Sequence, residues 1–428
     1  MAETPEIRPP PGIAGPGALA DILIASREAA RASPESQFGD ISDAGLRQLV
    51  DLAYHAGIAQ EEGRFPRFRI FASTPLSPAR TQVSPRFVPA RPLRLNLFVK
   101  LAPAISHDRH ALHVYEDRRT GELLTDGVLS LTDLGMNRLA QALPGTSALD
   151  LHSPIAGLQI VVLDPGHMLA GEPMPNWELK DARITRLTSV GAIKPVSDWY
   201  RRLAQELIAQ GPASEEEAPA SKTPESAQGL ARWLAGRWSD LLGMIVHERH
   251  GGMLLVLPDS SLEGISLPHL STDLRFGEVL RSFWRSSRSF WDVMHMGESA
   301  APNLLRWNRS RERLFDTLFA ITALSRVDGS VVFDPLLTLL GFGGRLPLVT
   351  ATGTKSLVTV GNPATLEVER RAPLHEFELG TRHSAAYNIC RQRPGALAFV
   401  VSQDGDLRIF ASHEGDVWLW KTHWRHFL

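Results

Sequence analysis

The chain has 428 residues, 43% hydrophobic and 21% charged, enough for two or three cores of ordinary size and unlike a fibrous or disordered polymer. Lys and Arg number 45 against 47 Asp and Glu, a formal charge of −2, so bulk charge argues against long nucleic acid as a partner. A single cysteine, Cys390, excludes an internal disulfide framework and points to a reducing, cytoplasmic setting; no apolar run approaches the ~20 residues of a membrane span, and no signal-peptide pattern opens the sequence.

In chain order, residues 1–17 are rich in Pro and Gly and read as a disordered leader. A mixed α/β domain is expected over 18–210. It opens with helices over 18–32 and 41–64, the second with Asp43 placed to cap its start. Strands are expected at RFRIFAS (67–73), LRLNLFVKLA (93–102), HALHVYED (110–117) and GLQIVVLD (157–164), with a helix at LTDLGMNRLAQAL (131–143). The helix VSDWYRRLAQELIAQ (196–210) closes this domain, and the acidic, Pro-containing stretch 211–226 reads as a linker.

A second α/β domain, a mixed sheet flanked by helices, is expected over 227–428. Its first helix, 227–250, carries Leu230, Trp233, Leu234, Trp238, Leu241 and Leu242 on one stripe; others are expected at 278–291 and 311–326. Strands are expected at 252–258, 328–335, 345–354, 356–361, 396–403, 406–412 and 416–421.

Several clusters have plain readings. His107, His110 and His113 fall at spacings of three, but extended chain puts His110 on the opposite face, against a shared zinc ion. His247 and His250 form a cationic helix end. Trp418 and Trp420 fit strand packing, and Cys390 a buried apolar position.

The chemistry concentrates elsewhere. Asp328 and Gly329 stand at a strand start, and GTRHS, Gly380 to Ser384, opens a helix where backbone N–H groups and the basic side chains of Arg382 and His383 can meet an anion. A strand then ends at Ser402, Gln403 and Asp404, although Asp404 also reads as the Asp-Gly turn of a hairpin. A carboxylate together with a Thr-Arg-His helix start makes a sensible phosphate-and-metal site.

This ordered series over roughly residues 240–420 resembles the catalytic domain of the diadenylate cyclases, with its Asp-Gly-Ala, Gly-Thr-Arg-His-Arg and Val-Val-Ser-Glu-Glu motifs. The resemblance implies ATP with Mg²⁺ or Mn²⁺. Nucleotide contacts would come from Gly329, Ser330, Gly380, Thr381, Arg382, His383, Ser384 and Ser402, metal contacts from Asp328 and Asp404, and activation of the 3′-hydroxyl from Asp328. Family catalysis sets two domains face to face, which implies a homo-oligomer, and leaves the downstream effector unspecified.

The chain departs from that pattern at Ser384, where the family has Arg, at Gln403 and Asp404 for Glu-Glu, at Ser330 for Ala and at Val327 for His. Loss of several charged contacts weakens turnover more than binding. The chain is therefore similar to a degenerate, sensor-type (DACNV-like) offshoot that holds a nucleotide. One alternative is an active cyclase converting two ATP to cyclic di-AMP and two pyrophosphates, with Arg345 or Arg391 supplying the missing contact. Another is an interaction module that binds no nucleotide.

Overall fold

A computed structural model describes residues 14–31, 41–75, 83–102, 105, 110–130, 157–172, 176–188, 190–210, 226–248, 250–270, 274–296, 301–344, 356–377, 380–403 and 405–422. Described residues up to 187 form one compact unit and those from 188 onward a second. Both are mixed α/β.

In the first unit, helices α1 (Pro16–Arg31), α2 (Asp43–Ile58) and α3 (Leu95–Leu101) accompany an eight-stranded sheet. Its strands are β1 (Phe68–Ala72), β2 (Val83–Pro92), β3 (His110–Glu116), β4 (Leu123–Ser130), β5 (Leu158–Asp164), β6 (His167–Gly171), β7 (Trp177–Lys180) and β8 (Arg183–Arg186), in the order β2-β4-β3-β1-β5-β6-β7-β8. Strand alternation sends Phe68, Ile70 and Ala72 into a core with Leu46, Leu49, Val50 and Ala53 of α2.

Two local expectations are corrected here. Ser42, not Asp43, caps α2: its Oγ accepts the Gly45 N–H at 3.0 Å, and Glu116 accepts both the Ser42 N–H and its hydroxyl. The stretch 93–102 contains helix α3, not a strand. Its alternating Leu-Arg-Leu-Asn-Leu start looks extended, yet the buried side chains, Phe98, Val99 and Ala102, recur at helical spacing while Leu95 is exposed. The helix expected at 131–143 and the strand at 345–354 lie outside the described residues.

The second unit has helices α4 (Lys194–Ala209), α5 (Ala227–His247), α6 (Phe276–Met296), α7 (Ala301–Leu324) and α8 (Thr381–Gln392). Its nine-stranded sheet comprises β9 (Gly252–Val256), β10 (His269–Leu270), β11 (Val331–Phe333), β12 (Leu339–Phe342), β13 (Leu357–Gly361), β14 (Val368–Pro373), β15 (Leu397–Val401), β16 (Leu407–His413) and β17 (Asp416–Thr422). The order is β10-β12-β11-β9-β15-β16-β17-β13-β14.

Helix α4 was expected to close the first domain, yet its Trp199, Tyr200 and Leu203 are buried in the second core. The Trp199 ring stands 5.3 Å from Trp238, which is itself 5.3 Å from Phe399. These aromatics carry enough buried surface to decide where the helix belongs. The two units therefore divide ahead of α4; residues 211–225 lie outside the described part.

The sheet is apolar on both faces. Leu254, Val256, Val331, Phe333, Phe399, Val401, Leu407 and Ile409 face the core built with α4 to α7. Met253, Leu255, Val332, Ala398, Val400, Phe410 and Leu419 face the other way, against Ala386, Ile389 and Cys390 of α8. Cys390 is fully buried, which pushes its thiol far above the usual range and makes it a packing residue.

Candidate functional site

Helix α8 runs back against β15, which follows it after a short turn, so the helix start lies at the strand end. Twelve residues of helix span about 18 Å, and five of strand about 16 Å. At that same end β9 begins, since Val401 pairs with Gly252, and so does β11, which is parallel to β9 with Val331 opposite Leu254. Four segments thus meet: 250–252, 327–330, 380–383 and 401–403.

Gly380 caps α8 with extended backbone and no side-chain hydrogen bond; its carbonyl accepts the His383 N–H at 3.1 Å and the Ser384 N–H at 3.2 Å, which leaves the Thr381 and Arg382 N–H groups facing out of the helix start. Arg382 Nη2 stands 3.6 Å from Oδ1 of Asp328, whose side chain is fully exposed. Two residues singled out from distant motifs are thereby brought together. Gly329 adopts φ +120°, and a Cβ there would lie 2.6 Å from both Gly343 C and Gly344 O, so the turn after Asp328 admits glycine only. Ser330 is buried, and its carbonyl accepts the Gly344 N–H at 3.3 Å.

His383 departs from its expected role. It is 7% exposed, its ring lies 6.2 Å from that of Phe410, and its Nε2 has no hydrogen-bond partner among the described residues. Burial above all, then the neighbouring Arg408, lowers its pKa to about 4, with Asp406 opposing and Arg382 adding to the effect. At neutral pH it is an uncharged ring beneath the helix, not a second cation at its mouth.

Thr381 is exposed and Ser384 half-buried at the helix start. Ser402 closes the β15–β16 hairpin: its N–H donates to the Asp406 carbonyl at 2.8 Å and its Oγ accepts the Asp406 N–H at 3.0 Å. Its hydroxyl is engaged in the turn. Arg391 lies in the last turn of α8, about 13.5 Å along the helix from Arg382, too far to replace a contact there. Asp404 and Arg345 lie outside the described residues.

Two residues of this region escaped the sequence reading. Gly251, at φ +66°, leaves no room for a Cβ, which would meet Val401 O at 2.9 Å and Arg382 Nη1 at 3.0 Å. The Gly251-Gly252 pair ahead of a strand was the available signal. Arg408 is a half-buried guanidinium on β16 whose pKa burial lowers; a lone Arg in an alternating strand gave no signal.

Among the described residues no group of three or more His, Cys, Asp or Glu stands close enough to hold a metal ion. Asp328 faces Arg382, and Asp406 faces Arg408 and Lys421. The described side chains therefore do not fit a metal held by protein ligands alone.

Residues 41–130 match a family model described as "Probable sensor domain DACNV". The match covers about a fifth of the chain and falls in the first unit, α2 through β4, for which the sequence suggests no family; the likeness to sensor-type domains read from the motifs falls in the C-terminal half. No curated protein sequence matches the chain. One solved structure, titled "The crystal structure of the hypothetical membrane spanning protein from Bacillus cereus", aligns over 53% of this chain and 93% of its own, with 14% identity and a TM-score of 0.25. No helix among the described residues is long and apolar enough to cross a membrane.

Within the matched stretch, His113 is fully buried between Asp126, whose Oδ1 is 2.6 Å from Nδ1, and Ser73, whose Oγ is 3.1 Å from Nε2. Its partners are these two residues. His107 lies outside the described part.

Proposed function

We propose that the second unit binds a nucleoside phosphate at the first turn of α8 and that the first unit is the sensing part of the molecule. The observation that carries the binding half is the meeting of Arg382 and Asp328 at a helix start that has no side-chain cap. An anion there gains the Thr381 and Arg382 N–H groups and a guanidinium. The sensing half rests on the DACNV match over residues 41–130. Calorimetric titration of the chain with ATP, ADP and cyclic dinucleotides, with and without Mg²⁺ or Mn²⁺, tests it. Binding of at least one nucleotide is expected, and silence with all of them contradicts the reading.

A second reading is favoured by where that match falls. A sensing unit separate from the GTRH segment leaves the second unit free to be the output, an active diadenylate cyclase. In that reaction the 3′-hydroxyl of each ATP attacks the α-phosphorus of the other and pyrophosphate leaves, so two second units must face each other. Incubation with ATP and Mn²⁺ followed by chromatography should then show cyclic di-AMP, lost in Asp328→Asn, from a protein that sediments as a dimer. A monomer without product leaves nucleotide binding as the function.

A further inference from the structure

The first turn of α8 stands over β16 and β17, and two cationic side chains lie below it. Along β16, Leu407, Ile409 and Ala411 face one core while Phe410 faces α8, so alternation places Arg408 on the α8 face. Along β17, Trp418 and Trp420 face away and Val417 and Leu419 face α8, which puts Lys421 on the same side. Arg408 and Lys421 are direct cross-strand partners, an arrangement in which like charges repel.

Asp406 Oδ2 is 3.5 Å from Lys421 Nζ and 4.0 Å from Arg408 Nη2. The Arg408 side chain is 23% exposed, and beyond that long ion pair its guanidinium makes no hydrogen bond among the described residues. A half-buried guanidinium whose carboxylate partner stands that far off has donors to offer a further anion. His383, packed against Phe410 of the same strand, is nine-tenths buried, and its Nε2 has no partner among the described residues. Arg382 completes the set on the helix itself.

We infer that Arg408, together with Arg382, forms a two-guanidinium clamp for the phosphate chain of a nucleoside polyphosphate, with Lys421 as flanking charge and His383 Nε2 as a neutral contact. This rests on the nucleotide-binding reading and adds a residue and a ligand class to it: a chain of linked phosphates, whose several anionic oxygens can reach guanidinium groups carried on two different elements.

The test is calorimetric titration of ATP and of inorganic tripolyphosphate into wild type, Arg408→Met, Arg408→Lys and Arg391→Ala. Arg408→Met keeps the buried stem, and its melting temperature reports whether folding is intact; Arg408→Lys keeps charge without the fork. The expected result is affinity for both ligands lowered about tenfold or more in Arg408→Met, intermediate in Arg408→Lys, and unchanged in Arg391→Ala at the far end of the helix. If wild type binds and both Arg408 variants bind equally well, the clamp is overturned while nucleotide binding stands. If wild type binds neither ligand, both fall.

Discussion

At the residue scale, single backbone positions hold the site together. Gly329 and Gly251 combine positive φ with contacts that a Cβ would violate. Gly329→Ala should therefore lower stability by about 2 kcal/mol or more, read as a shift in urea midpoint. His383 gives a pH signature. Its folded pKa of about 4 lies below the unfolded value of 6.5, so below pH 6.5 the unfolded chain takes up a proton that the folded chain refuses. Stability should be unaffected by this ring above about pH 6.5 and fall as pH drops toward 4. His383→Phe should flatten that part of the profile, and an unchanged slope would show that another group is responsible. Asp328 and Arg382 were legible in the sequence because they sit in ordered motifs. The neutrality of His383 was not, since it arises from burial and from Arg408, which only strand pairing brings near.

At the scale of elements, local patterns were legible where burial follows a simple period. The apolar runs of β9 and β15 and the stripe on α5 were all visible before folding. Helix α3 was missed because five alternating residues mimic a strand, and the decisive pair, Phe98 and Val99, is buried side by side. The cap of α2 was placed one residue late, because Ser42 derives its position partly from Glu116 on β3. Ser42→Ala should cost about 1 kcal/mol by removing the cap. A larger loss is expected at His113, buried between Asp126 and Ser73. His113→Ala leaves a buried carboxylate without its partner and should destabilise the first unit by about 3 kcal/mol, measured by denaturant unfolding. A loss below about 1 kcal/mol would mean that water replaces the ring.

At the scale of the whole molecule, the sequence indicated two α/β parts but misplaced the division between them. Helix α4 follows the first sheet closely in sequence, and the acidic stretch after it looked like the natural break. Trp199 decides otherwise by packing with Trp238 and Phe399, with Tyr200 beside it in the same core. The placement of function shifted similarly: the stretch similar to a sensor domain is the one that carried no recognisable chemistry, whereas the phosphate-type motifs belong to the other unit. The most direct measurement is calorimetric titration of ATP into the full chain and into Arg382→Ala. Saturable binding by wild type, weakened about tenfold or more by the substitution, is the expected result; equal binding by the two proteins, or none by wild type, would contradict a phosphate site at the start of α8.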